Sequence, residues 1–182
     1  MDCVLRDEHH GAMLAADYLL RKGHRRIGWY GPLTATVNAR RRFSGAAEAL
    51  LRAGLSIDGQ GWRETDPAIE TAVAREFLQR PDRPPAVLAL WQTAARALVR
   101  ATRELGLTIG KDLDVVGWSL EEHFDRGYTA DCPELRESCA TVTWSIADVG
   151  RTVLHRIEAR RREPDLPAAR MLLPMKLREP GK

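Results

Sequence analysis

The chain has 182 residues, 44% of them hydrophobic and 29% charged, with 28 Lys and Arg against 25 Asp and Glu for a net charge of +3. Such a length buries roughly 70% of its unfolded surface without staples, the small and dispersed positive excess does not argue for a nucleic-acid surface, and no apolar run approaches the roughly 20 residues that span a bilayer. Cys3, Cys132 and Cys139 are an odd set without CxxC spacing, which indicates neither a disulfide framework nor a zinc site, and with no secretion signal at the start a reducing cytoplasm fits best.

Cys3-Val4-Leu5 predicts a short strand. Asp7 then caps a helix over about 8–22, in which Ala12, Ala15, Ala16, Leu19 and Leu20 recur at three- and four-residue steps and Gly23 supplies a left-handed stop. Ile27 to Tyr30 predicts a buried strand, and 39–53 a helix closed by Gly54. A weak strand over 61–64 and a helix from Pro67 to Gln79 follow. The uninterrupted apolar run Ala86-Val87-Leu88-Ala89-Leu90 marks a central strand covered on both faces. Next come a helix over 93–105, ended by Gly106, and a strand over 113–117. From 119 to 138 the pattern breaks into a long polar segment, the signature of a functional or mobile connection. Thr141-Val142-Thr143 restores a strand, 145–161 a helix, and 170–177 a last strand. This alternation argues for a parallel sheet covered on both faces, and such sheets bind ligands at the carboxyl ends of their strands.

Several side chains are expected at that edge. Asn38, Arg40 and Arg42 fall near the first turn of the second helix, and a guanidinium fork suits hydroxyls, carboxylate or phosphate; Arg40-Arg41-Arg42 also reads as a solvated charge run. Trp91 and Gln92 follow the central strand, one offering an aromatic face or a core side chain and the other an amide with donor and acceptor. Ser119 follows the next strand, and Trp62 lines the cleft from a neighbouring one. His24 reads as a structural residue whose ring nitrogens are satisfied by backbone groups. His9 and His10 diverge on a helix with no third ligand nearby, so no metal is expected. Glu121, Glu122, His123 and Asp125 read as a mobile polar loop, with an acid/base cluster or a set of metal ligands as the rivals. A glycine-rich phosphate loop, a Gly-x-Ser-x-Gly elbow and a paired metal signature are all missing, so neither enzyme nor cofactor is expected.

Six motifs stand in order along the chain: Asp7-x-x-x-Gly11-x-x-x-Ala15 with Leu19; Gly23-His24-Arg25-Arg26-Ile27; Arg40, Arg42 and Gly45 with Ala49-Leu50; Pro85-Ala86-Val87 with Ala95; Leu105-Gly106-Leu107; and Asp112-Leu113-Asp114-Val115-Val116-Gly117-Trp118. In them the chain resembles the effector-binding domain of LacI/GalR-type transcriptional regulators, which share the type I periplasmic-binding-protein fold. The resemblance implies an α/β, three-layer αβα architecture with a mostly parallel sheet. It assigns 7–138 and 163–182 to the second lobe and leaves 1–6 and 139–162 as a remnant of the first, with the helix-turn-helix domain absent from this chain. It further implies a sugar-like effector held by Arg40, Arg42 and their neighbours, allosteric control of DNA binding, a homodimer in the cytoplasm, and DNA contact only through the missing amino-terminal domain. Two departures stand out: Trp91-Gln92 where the family usually carries Asn-Asp, and Ser119 where it carries an aspartate. Both remove carboxylates that the resemblance would set against sugar hydroxyls. The helix bearing Ile146, Val149, Val153, Leu154 and Ile157 is expected to lack part of its packing surface. A solute-binding protein of the same fold and a sugar-transforming α/β enzyme using 121–125 are the rival functions.

Overall fold

Short apolar runs separated by amphipathic helices settle into layers because each run can bury both faces only between helices. In the computed structural model, which describes residues 1–33, 36–61, 69–125 and 132–181, the first half runs β1 (Cys3–Arg6), α1 (Glu8–Arg21), β2 (Ile27–Tyr30), α2 (Val37–Arg52), β3 (Gln60–Gly61), α3 (Glu70–Leu78), β4 (Ala86–Ala89) and α4 (Gln92–Glu104). It continues through β5 (Asp114–Leu120), α5 (Glu121–Asp125), α6 (Glu134–Glu137), β6 (Ala140–Trp144), α7 (Ile146–Arg162), β7 (Arg170–Leu173) and β8 (Lys176–Arg178). Six strands form one sheet in the order β3-β2-β4-β5-β6-β8, parallel except for β8, which runs antiparallel to β6. The other two, β1 and β7, pair in parallel as a separate small sheet.

Alternate strand residues face opposite layers. Ile27, Trp29, Leu88, Leu90, Val116, Trp118 and Val142 share one core with α1 and α2. Tyr30, Val87, Ala89 and Val115 share the other with α3 and α4. The Ala-rich stripe of α1 is fully buried, and at its crossing with α2 an added Cβ on Gly45 would lie 2.1 Å from the His9 carbonyl oxygen. Only glycine lets the helices approach so closely. Asp7 accepts from the His10 N–H at 3.0 Å to start α1. Gly23, at φ 93°, ends it, with the His24 N–H donating to the Leu19 carbonyl.

The structure departs from the sequence reading in three places. Within 119–138, of which 126–131 lie outside the described residues, β5 runs on to Leu120, 121–125 form α5 and 134–137 form α6, elements too short for periodicity to declare. The expected strand 170–177 is two strands, because Pro174 has no N–H for a ladder. Strand membership also falls differently from the expected lobe boundaries at 139 and 163. The β6 strand, almost wholly buried, extends the large sheet, whereas β7 joins β1 in the small one. The small unit of β1, β7 and α7 is thinly covered, and α7 has no buried residue.

Candidate functional site

The parallel strands bring Tyr30, Ala89, Leu120 and Trp144 to one edge of the large sheet, and α2, α4, α5 and α7 start from that edge. There β1 and α7 of the small unit meet α2 and β6 of the large one, leaving a groove of about 400 Å³. Its polar lining is Arg6, Asn38, Arg41 and Trp144. Val4 and Leu5 of β1 and Ile146 and Val149 of α7 make it apolar elsewhere. Among the described residues, no acidic side chain lines it.

Beneath lies a buried charge network. Glu8, 1% exposed, places one carboxylate oxygen 2.6 Å from Arg42 Nε and the other 2.8 Å from Arg6 Nη2. Arg42, 4% exposed, also donates from Nη1 to the Leu90 carbonyl at 2.5 Å and stacks its guanidinium 3.9 Å from the Trp118 ring centroid. Burial pushes its pKa down while Glu8 opposes that shift. Arg6 lies 4.0 Å over the Trp144 ring. The network links β1 of the small unit to α2 and β5 of the large one, with the carboxylate shared rather than left to water.

Of the residues expected at this site, Asn38 lines the groove. Arg42 reaches the same edge, but its guanidinium has three partners within the protein where a ligand-facing group was expected. Arg40 is exposed on α2. Trp91 is the half-buried cap residue of α4, packed against the core, and Gln92 begins that helix half-buried. Ser119 is buried opposite Thr143 and donates to the Leu120 carbonyl at 2.8 Å. Trp62 lies outside the described residues. Sequence reasoning missed Arg6, Glu8, Arg41 and Trp144. Trp144 carried the same signal that selected Trp91, an aromatic residue at the carboxyl end of a buried strand; Glu8 carried none beyond an acid in a helix's first turn.

The expected polar loop is organised as well. Glu121 holds Lys176 at 3.2 Å and Arg178 at 2.8 Å. Glu122 accepts from Ser145 Oγ at 2.7 Å and from the N–H groups of Ile146 and Ala147, capping α7 from across the junction. These bonds, the Ser145 hydroxyl foremost, hold its pKa down at about 2. At the opposite edge of the sheet, Asp114 binds His24 Nε2 and Lys22 Nζ, each at 2.6 Å, so a carboxylate rather than backbone groups satisfies the His24 ring. Burial pushes the thiols of Cys132 and Cys139 up, Cys132 to about 11. Among the described residues no three His, Cys, Asp or Glu side chains gather in a metal-binding group, and no helix is long and apolar enough to cross a membrane.

Residues 16–179 match the model of the periplasmic binding protein-like domain. The chain belongs to this family, in the form of a LacI-type effector-binding domain. The HTH-type transcriptional repressor PurR of Photorhabdus laumondii is 31% identical to this domain over 120 residues, 64% of the chain and 35% of the relative. A regulatory protein of the LacI family from Chloroflexus aggregans superposes with a TM-score of 0.80 at 27% identity, covering 97% of this chain and 62% of that one. The regulator CelR in complex with cellobiose gives 0.76 at 26% identity over 98% of this chain and 53% of that one. The domain thus spans little more than a third of the length of the curated relatives it matches.

Proposed function

We propose that the domain senses a small organic molecule, a sugar or sugar derivative, held where the small unit meets the large one, and that occupancy controls DNA binding by a helix-turn-helix segment outside residues 1–182. One observation carries this reading: a groove of about 400 Å³ is lined jointly by β1 and α7 on one side and α2 and β6 on the other. A ligand seated there contacts both units, so its affinity differs between their arrangements, which is the one way a ligand shifts such an equilibrium. Kinship with transcriptional repressors and a cellobiose-bound relative support the same reading. In it Asn38 touches the ligand, and Arg42 positions Arg6 by sharing Glu8. The working form is a cytoplasmic homodimer.

The test is differential scanning fluorimetry of the full-length protein against neutral sugars, ribose and cellobiose among them, and sugar acids and phosphates, followed by retention of its own promoter fragment with and without each hit. A hit that raises the melting midpoint and changes retention is the expected result. Retention unaltered by every stabilising ligand overturns the regulatory half of the reading.

A further inference from the structure

Charge at the groove narrows the ligand. Arg6 and Arg41 line it, and no acidic side chain does among the described residues. Glu8, the carboxylate beneath, is buried between Arg6 and Arg42, so three guanidinium groups stand against one carboxylate. The α2 helix adds to the excess. Its first turn carries Asn38 and no acidic residue, and its peptide dipoles place partial positive charge at that end. The start of α7 offers the ligand little, because its Ile146 and Ala147 N–H groups already donate to Glu122. Asp148, the acid in the adjoining groove, is held by Arg151 at 2.7 Å. What remains of the lining is Trp144 and aliphatic side chains, a surface for a ring or short carbon body.

We infer that the groove takes its ligand by an oxyanion, a phosphate or carboxylate group, gripped by Arg6 and Arg41 with the Asn38 amide donating beside them, while the ligand's body lies against Trp144 and Val149. The inference rests on the sensor reading above and narrows its ligand class. Guanidinium donors match the geometry of such groups and form charge-assisted hydrogen bonds roughly twice as strong as neutral ones. A neutral polyol leaves the positive excess uncompensated and has no counterpart for it.

The deciding experiment is isothermal titration calorimetry of the full-length protein with phosphorylated and carboxylated metabolites, each beside its neutral counterpart, glucose 6-phosphate with glucose being one pair, and with inorganic phosphate alone. The expected result is an anion that binds at least about tenfold tighter than its neutral partner and weakens between roughly 50 and roughly 300 mM NaCl. Arg41→Glu then weakens it by roughly thirtyfold or more, while Arg161→Glu, the same charge change at the far end of α7, leaves it unaltered. Where Arg41→Glu fails to fold, Arg41→Gln and Asn38→Ala provide the comparison. Equal affinity for an anion and its neutral partner overturns the inference and leaves the sensor reading standing. An anion that binds regardless of Arg41 and Asn38 overturns it too, because the groove is then not its site. If no member of the panel binds, both the inference and the sensor reading fall.

Discussion

At the scale of single residues, the decisive arrangement is one buried carboxylate held by two guanidinium groups, that of Arg42 buried with it and that of Arg6 at the groove. Removing one partner of a buried ion pair typically costs about 3–5 kcal/mol, because the other charge stays buried and uncompensated. Arg6 still reaches Glu8 when Arg42 is gone, so Arg42→Ala is expected near the lower end, a loss of about 3 kcal/mol in urea unfolding. Glu8→Leu combined with Arg42→Met should restore most of that loss, since an apolar pair of similar volume replaces a buried ion pair at little cost. An Arg42→Ala variant as stable as the parent would show that the pair contributes nothing. The sequence points to Arg42 near the first turn of a helix above the sheet edge, and α2, starting two residues earlier than expected, puts it in the second turn. Its ion pair with Glu8 is not legible in the sequence, because the partner lies 34 residues upstream and spacing along the chain carries no signal for contacts of that separation. The same position near the helix start points to Asn38, which lines the groove; the difference between the two is burial, which only packing decides.

At the scale of elements, two junctions make testable statements. Glu122 caps α7 from α5, and its carboxyl is held down from 4.5 to about 2. A group depressed in the folded state stabilises it above the unfolded value, and that contribution is lost as pH falls through the folded value. The wild-type advantage over Glu122→Gln should therefore be full at pH 6, shrink below about pH 5 and vanish near about pH 2, read as the gap between the two melting midpoints. A gap independent of pH would mean that the carboxylate does not act through its charge. The second junction is the α1–α2 crossing. In a helix interior Gly→Ala ordinarily gains up to about 1 kcal/mol, but at Gly45 the new methyl would overlap the His9 backbone. Overpacking of that kind costs about 1–3 kcal/mol, so Gly45→Ala is expected to destabilise, measured as a lower urea midpoint. The long helices and buried strands were readable because periodicity, caps and Gly23 agreed at each. The α5 helix, five residues long, was not, and neither was the break at Pro174, since Arg170 to Leu177 looks continuous until the two halves are seen to pair with different partners.

At the scale of the whole molecule, the layered architecture followed from the alternation of strands and helices, whereas the division of strands between sheets did not, because β6 and β7 are both short apolar runs and only tertiary pairing separates them. Along α7, Ile146 is 56% exposed, Leu154 61% and Ile157 52%, and Leu172 of β7 is 50% exposed. Exposed apolar side chains are unremarkable singly, but a stripe repeated along one helix beside a small sheet is a surface that association would cover. The 182-residue chain by itself should therefore associate with rising concentration in the micromolar range, seen in sedimentation velocity as a shift away from monomer, and should bind an apolar dye. Leu154→Glu with Ile157→Glu should reduce both effects and leave the urea midpoint within about 0.5 kcal/mol of the parent, because side chains already more than half in water have little burial to lose. Arg151, Arg156 and Arg160 on the same helix are held by Asp148 or Asp2, so they do not by themselves give this face a repelling excess of positive charge. A chain that stays monomeric and dye-free up to roughly 100 µM would show that these ion pairs and the surrounding polar residues already keep the stripe from meeting its like.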